Sequence, residues 1–215
     1  MRVTVLFLVL TLALGFSACT QPGNNPAPPT QQEAAKPADQ APVVPVGGAA
    51  GFDQTLSLQG ISFHVTCLNV GSVNQLLIVP TGLKGDNKPI EKEIFGTVTG
   101  VEVADLNVDA SPEIFVYVTS AGSGSYGSLV AYAVNKGRSL SEIYLPPLED
   151  DPKAAKGYMG HDEFSVVENS LARRFPVYRA KDINAQPTGG TRQVQYKLTA
   201  GEAGWVLKPV RIDNF

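Results

Sequence analysis

The chain has 215 residues, a formal net charge of −3 at pH 7 and only two histidines and two cysteines. The negative charge argues against nucleic acid as a partner and is compatible with a cationic protein partner. Two histidines also exclude a multi-histidine metal site.

Residues 1–19 have the pattern of a secretory signal peptide. Arg2 supplies a positive charge, and the apolar run Val3–Phe16 is too short to be a comfortable transmembrane helix. The run ends in Phe16-Ser-Ala-Cys19, which resembles the bacterial lipobox, in which the cysteine becomes the lipidated N-terminus. We therefore expect Cys19 to carry lipid. Ordinary cleavage after Ala18 is the alternative.

The residue after the cysteine bears on location. It is Thr20 rather than aspartate, and this resembles lipoproteins that are exported to the outer membrane. The expected location is the periplasm, anchored by lipid to the outer membrane.

Residues 20–50 differ sharply in composition from the rest of the chain. Seven of the sixteen prolines fall here, among Gln, Ala and Asn, with almost no large apolar residue before Val43. Such a segment cannot bury enough apolar surface to offset the entropy of ordering. We predict a disordered tether.

Residues 51–215 have the length and pattern of one β domain. Short apolar runs, several of them alternating, are separated by turn signals such as Gln59-Gly60 and Gly189-Gly190. We predict an all-β fold, a compact antiparallel β-sandwich or flattened barrel of about eight to ten strands. The strand-like runs are 51–58, 61–67, 74–80, 94–103, 113–119, 128–134, 140–145, 162–168, 171–178, 191–198 and 204–211.

Alternation in the second run fixes the expected place of one histidine and one cysteine. Ile61, Phe63, Val65 and Cys67 share a face, so His64 points the other way. Cys67 should therefore be a buried, inert thiol. With Cys19 lipidated, no intrachain disulfide is possible.

The segment Asp105-Leu-Asn-Val-Asp-Ala-Ser-Pro-Glu113 has an oxygen-bearing side chain at every second position. This spacing occurs in calcium loops, although the sixth position normally takes glycine and here is Ala110. A turn leading into the next strand explains the same residues. We expect no resident metal or cofactor. The metal candidates are Asp105, Asn107, Asp109, Ser111 and Glu113.

A second polar group is Gly160-His-Asp-Glu163. A hydrolase would need His161 together with a distant serine and acid, and nothing in the sequence brings these together. We interpret His161 as a structural hydrogen-bonding residue and Asp162-Glu163 as a solvated pair. Arg173-Arg174 is interpreted as a charged strand edge that discourages edge pairing.

The segment Ser120-Ala-Gly-Ser-Gly-Ser-Tyr-Gly127 is the strongest candidate for a functional loop. It joins two strand-like runs, and eight residues is long for a hairpin connection. Its glycines permit tight bends, while Tyr126 is the kind of amphipathic ring that anchors interfaces. No serine here has glycine two positions before and two after, so a nucleophile elbow is excluded. A solvated loop without function is the alternative.

The run Val101–Tyr132 resembles the bacterial periplasmic inhibitors of invertebrate-type (i-type) lysozyme. Segments Gly160–Phe164, Arg173–Tyr178 and Gly189–Gln195 continue the likeness, which covers most of 51–211. The resemblance implies a compact antiparallel β fold and a protein that is not an enzyme. It also implies a partner, i-type lysozyme, that is inhibited by a Ser-Gly-x-Tyr loop, here Ser123, Gly124, Ser125 and Tyr126.

The expected mechanism is insertion of this loop into the lysozyme cleft, which protects peptidoglycan. Lysozyme-type glycosidases hold two acidic side chains in a sugar-binding cleft. Neutral hydroxyls such as those of Ser123 and Tyr126 can donate to and accept from such groups. Flanking loops should contribute contacts, with Gly189-Gly190 and Arg192 as a guess. Two alternatives remain: a calcium-stabilised adhesion or scaffold module that uses the Asp105–Glu113 loop, and a hydrolase that uses His161.

Overall fold

The computed structural model describes residues 51–215, which fold into twelve strands, one 3-10 helix and one short α-helix. Cys19, the signal peptide and the expected tether lie outside the described residues. The 3-10 helix is Leu148–Asp150 and α1 is Pro152–Ala155. The strands β1 to β12 are Phe52–Leu58, Ile61–Cys67, Val73–Thr81, Ile90–Phe95, Thr97–Ala104, Glu113–Thr119, Gly127–Asn135, Ser139–Tyr144, Glu163–Val167, Ser170–Pro176, Thr191–Ala200 and Trp205–Asn214.

The strands form two sheets. The first has four antiparallel strands in the order β1-β2-β3-β4. The second has eight strands in the order β5-β6-β7-β8-β12-β11-β10-β9. The all-β prediction is therefore confirmed.

The second sheet curls until its two edge strands, β5 and β9, approach each other. The carboxylate of Glu102 in β5 accepts a hydrogen bond of 2.6 Å from the backbone N–H of Val166 in β9. Nearby, the rings of Tyr117 and Phe164 stack with their centroids 5.7 Å apart. The sheet is consequently close to a barrel.

Strand β6 belongs to two cores at once. Ile114, Val116 and Val118 pack with the four-stranded sheet, whereas Phe115 and Tyr117 pack inside the curled sheet. A strand that is buried on both faces must be apolar throughout, and Glu113-Ile-Phe-Val-Tyr-Val-Thr119 is nearly so. The loop that follows β6 is thus held by the most buried hairpin of the fold.

Several details of the sequence interpretation are confirmed. The β1–β2 hairpin turns at Gln59 and Gly60, and His64 is exposed, 2.8 Å from a carboxylate oxygen of Asp53. Cys67 is a free, buried thiol. Among residues 51–215 no helix is long and apolar enough to cross a membrane.

The number of strands and one pairing differ from the prediction. The predicted run 94–103 is divided between β4 and β5 at Gly96, which has φ +137° and lies so close to the carbonyl oxygen of Thr119 that a Cβ there would be 2.2 Å from it. Strand β4 begins at Ile90, four residues before the predicted run. The sheet is also not wholly antiparallel, since β12 pairs in parallel with β8 through Trp205–Ile143 and Val206–Tyr144.

The two short helices were not predicted. Asp151 accepts hydrogen bonds from the backbone N–H groups of Lys153 and Ala154, at 2.9 and 3.2 Å, and so caps α1. Pro152 at the first helical position has no N–H to satisfy. An aspartate–proline pair in this place is the sequence signal for such a helix.

Candidate functional site

The connection between β6 and β7 runs from Ser120 to Tyr126, and hydrogen bonds between these two residues close its base. The N–H of Ser120 donates to the carbonyl of Tyr126 at 2.9 Å, and the N–H of Tyr126 donates to the Ser120 hydroxyl at 2.9 Å. A tight turn within the loop brings the N–H of Ser125 to the carbonyl of Gly122 at 3.2 Å. The loop is therefore ordered by local chemistry.

Neighbouring segments brace the loop from outside. His161 donates its backbone N–H to the Gly124 carbonyl at 2.7 Å, and the Asn184 side-chain amide donates to the Ser123 carbonyl at 2.6 Å. A carboxylate oxygen of Asp162 accepts from the Gly127 N–H at 2.7 Å. Two contacts thus fix the tip of the loop, and a third fixes the residue that follows it.

Glycine is required at the loop tip because of close approach. A Cβ on Gly124 would lie 2.4 Å from the ring of Tyr126, which packs over it. A Cβ on Gly160 would lie 2.0 Å from the Gly124 carbonyl oxygen, and Gly160 also has φ +91°. These glycines let three pieces of chain meet at the base of the tyrosine ring.

The Tyr126 ring stands half out of the surface, with 48% of the residue exposed. Its inner edge meets the ring of Tyr158 at a centroid distance of 5.7 Å and an interplanar angle of 78°. Ser123 is exposed at the tip. Within residues 51–215 neither the Ser123 nor the Tyr126 hydroxyl has a hydrogen-bond partner, so both are free to bind an external group.

Beneath the loop lies a buried cluster of Asp162, Arg173 and Tyr158. Arg173 Nε is 2.7 Å from a carboxylate oxygen of Asp162, and the guanidinium also donates to the Tyr158 hydroxyl at 2.8 Å. Tyr158 in turn donates to Asp162 at 2.6 Å. The Asp162 side chain is fully buried and that of Arg173 is 7% exposed. The same carboxylate therefore pairs with an arginine and holds the loop.

The cluster shifts the ionisation of its members in a consistent direction. Burial raises the pKa of the Tyr158 phenol, and its hydrogen bond to Asp162 raises it further. Burial alone lowers the pKa of the Arg173 guanidinium, but the hydrogen bond and charge of Asp162 leave it above its ordinary value. The cluster consequently keeps a neutral phenol and a charged guanidinium beneath the loop.

An open groove of about 650 Å³ adjoins the loop. Tyr126, Tyr158 and Arg173 line it together with residues 142–149. Tyr144 in this segment is 57% exposed. The loop tyrosine and the groove thus form one continuous surface.

The Asp105–Glu113 segment forms a compact turn between β5 and β6. Asp105 accepts backbone N–H donors from Asp109 and Ala110 at 3.0 and 2.9 Å, and Asp109 accepts from Ser111 at 2.8 Å. One carboxylate oxygen from each of Asp105, Asp109 and Glu113 lies within 4.8 Å of the others. The structure therefore brings three of the five metal candidates together.

Glu113 is the unusual member of that group. It is 0% exposed, one carboxylate oxygen accepts from the Leu106 N–H at 2.7 Å, and the other has no hydrogen-bond partner among the described residues. Burial raises the pKa of Glu113 to about 8, against a smaller lowering by the Leu106 hydrogen bond. The negative charges of Asp105 and Asp109 add to the rise.

Three interpretations of charged residues are wrong. Asp162 is not part of a solvated pair, because its side chain is buried against Arg173. Arg173 does not mark a charged sheet edge, since β10 lies between β9 and β11. Arg192 is not available for a partner, because it is buried and donates to the carbonyls of residues 153, 154 and 156 at 2.6 to 3.0 Å.

His161 has the structural role that we expected. Besides its backbone contact with Gly124, its Nε2 is 3.3 Å from the side-chain oxygen of Asn184. The sequence interpretation did not find the loop supports Asn184, Tyr158 and Gly160. The Gly160-His-Asp segment was noticed, but a single sequence cannot show that it packs against a loop 35 positions away.

Comparison with protein families gives one match. The family model described as "Periplasmic lysozyme inhibitor of I-type lysozyme" matches residues 91–156, and its description names an inhibitor, not an enzyme. The matched part contains the Ser120–Tyr126 loop and the Asp105–Glu113 turn but ends before Asp162, Arg173 and Asn184. No curated protein and no solved structure matches the chain significantly. Over residues 91–156, the chain is therefore similar to a family of periplasmic lysozyme inhibitors.

Proposed function

We propose that this protein inhibits i-type lysozyme by inserting the Ser120–Tyr126 loop into the active-site cleft of the enzyme. The observation that carries the proposal is the loop itself, which lies in the family-matched region. On a braced backbone it presents the hydroxyls of Ser123 and Tyr126, which have no hydrogen-bond partner in the part of the chain that the structure describes. Bracing matters because a loop that is already ordered loses less entropy on binding.

The chemistry of the target suits these groups. A glycosidase of this kind holds one protonated and one ionised carboxyl in a cleft that is shaped for sugar. The hydroxyls of Ser123 and Tyr126 can donate to the ionised group and accept from the protonated one. A carboxylate at the tip would be repelled, and a lysine would lose more hydration energy on burial.

The loop alone is too small for a stable complex. A standard interface buries about 800 Å² on each partner. The adjoining groove, with Tyr144 and the following proline-rich segment 145–149, is the surface that we expect to supply the remainder. It replaces the Gly189-Gly190 and Arg192 region, whose arginine is internal.

The proposal extends to the cellular location. We expect Cys19 to be lipidated and the domain to be carried on the 20–50 tether in the periplasm, at the outer membrane. Labelling of the intact cell with a fatty-acid analogue should mark the protein, and Cys19→Ser should abolish the label. Label that persists in Cys19→Ser would rule out this anchor.

Inhibition is tested by a lysozyme assay on bacterial cell walls. Purified residues 20–215 should block an i-type lysozyme at near-stoichiometric ratio, with chicken-type and goose-type lysozymes assayed in parallel for selectivity. Full lysis at a tenfold excess of inhibitor over the i-type enzyme would contradict the proposal. The comparisons lend no support to the scaffold alternative.

A further inference from the structure

The Asp105–Glu113 turn carries a feature that the inhibitory loop does not use. Five of its residues, at alternating positions, carry oxygen side chains, and three of these place carboxylate oxygens within 4.8 Å of one another. Calcium–oxygen bonds of about 2.3–2.6 Å put two ligands of one ion no more than about 5 Å apart. The observed spacing therefore fits a single ion of this size.

The unpartnered oxygen of Glu113 is an independent indication of a ligand. The residue is fully buried, yet one of its carboxylate oxygens meets no hydrogen-bond donor within residues 51–215. Buried polar atoms without partners are rare in folded proteins and call for an explanation such as an ion. This oxygen belongs to the same carboxylate group that lies within 4.8 Å of the Asp105 and Asp109 carboxylates.

Protein cations do not neutralise the cluster. Lys84 and Lys136 line an adjoining cavity of about 500 Å³ together with Asp109, but neither forms an ion pair with the three carboxylates in the described chain. Gln59 donates to Asp105 at 2.7 Å and is uncharged. The open cavity gives an ion a route to the turn.

The backbone already holds the turn in shape. Val108 and Ala110 have φ of +57° and +64°, and the N–H groups of residues 109, 110 and 111 point at the carboxylates of Asp105 and Asp109. Ala110 occupies the place where glycine is usual, and the backbone nonetheless adopts the left-handed conformation that the sharp turn needs.

We propose that the Asp105–Glu113 turn is a calcium site, with Asp105, Asp109 and Glu113 as carboxylate ligands and Asn107 and Ser111 as further oxygen donors. Calcium is favoured over magnesium because it accepts six to eight oxygens in irregular geometry, whereas magnesium demands a near-ideal octahedron and retains water. The ion would hold the start of β6 at the opposite end of that strand from the inhibitory loop. Its role is stabilisation of the fold, and it does not depend on lysozyme inhibition.

The test measures binding and thermal unfolding of the 20–215 protein after treatment with EDTA. Addition of calcium should raise the melting temperature by about 5–10 °C when its concentration exceeds Kd roughly hundredfold. Titration calorimetry should show one calcium per chain. Magnesium at the same concentration should produce a much smaller shift.

Two variants and a control assign the effect to this turn. Asp109→Asn and Glu113→Gln should each remove most of the calcium-dependent shift, while Asp86→Asn, an exposed aspartate in another turn, should keep it. Glu113→Gln keeps the size of the side chain and an oxygen that can accept from the Leu106 N–H. Asp109 lies at the surface, so Asp109→Asn still tests the site if Glu113→Gln does not fold. No calcium shift in the unmodified protein, an equal shift with magnesium, or an undiminished shift in both variants would overturn the site.

Discussion

Asp162 joins a buried ion pair to the end of the Ser120–Tyr126 loop. It pairs with Arg173, accepts from Tyr158 and anchors the first residue of β7 through the Gly127 N–H. A buried carboxylate is stable while it makes all these contacts. If its counter-charge is lost, the unpaired buried charge strongly lowers the free energy of unfolding. The base of the Ser120–Tyr126 loop is therefore coupled to a buried ion pair.

Arg173→Ala should lower the free energy of unfolding by about 3–5 kcal/mol, because it leaves the Asp162 carboxylate buried without a cation. Urea denaturation measures the change. Glu163→Gln, at the exposed neighbour of Asp162, is the control and should stay within about 0.5 kcal/mol of the unmodified protein. A similar small change for Arg173→Ala would show that the pair contributes little.

At the scale of elements, β6 links the two cores and carries the loop at its end. Ile114 faces the first core and Phe115 the second, and both are fully buried. The strand cannot shift in either direction without disturbing packed side chains. The double burial of β6 therefore fixes the end of the strand at which the glycine-rich Ser120–Tyr126 loop begins.

Truncating a buried side chain on either face of β6 should therefore lower the free energy of unfolding strongly. We expect Ile114→Ala to cost about 2–5 kcal/mol and Phe115→Ala about 3–5 kcal/mol in unfolding free energy. Val73→Ala, at a position that is 48% exposed, should cost much less. Equal, small losses for Ile114→Ala and Val73→Ala in chemical denaturation would argue against a second core.

Local sequence predicted most strands because alternating apolar and polar residues, and runs of β-branched residues, indicate which faces of a strand are buried. The runs 61–67 and 113–119 match β2 and β6 residue for residue. The continuous 94–103 prediction was wrong because the chain breaks at Gly96, whose positive φ and close approach to the Thr119 carbonyl are tertiary features that local alternation does not report. Composition pointed to the Ser120–Gly127 segment as a candidate loop, and the resemblance supplied its four site residues. The contacts that Asp162 and Asn184 make with this segment could not be predicted, because only the tertiary fold brings them to it.

At the scale of the whole molecule, four tyrosines pack in or against the two cores, three of them in or against the core of the curled sheet. Burial raises the pKa of Tyr117, Tyr132, Tyr158 and Tyr196 above 10. Because the folded pKa exceeds the unfolded one, the stability from these phenols is complete below pH 10. It is lost as pH rises through the folded values.

We therefore expect alkaline unfolding above pH 10 to coincide with ionisation of these four phenols. Absorbance at 295 nm measures ionisation, and circular dichroism followed over the same titration measures unfolding. The control is the protein in strong denaturant, in which all seven tyrosines should titrate near pH 10. Complete tyrosine ionisation near pH 10 in the folded protein would contradict the packing described for the curled sheet.

The most direct test of the account is the inhibition constant of Tyr126 variants against an i-type lysozyme. Tyr126→Ala should weaken inhibition by about 30-fold or more, as expected for an interface hot spot of about 2 kcal/mol. Tyr126→Phe should lose about tenfold, because it keeps the ring and removes only the hydroxyl. Lys88→Ala, on an exposed loop outside the proposed interface, should change nothing. An unchanged inhibition constant for Tyr126→Ala, in a protein that melts normally, would contradict the central claim.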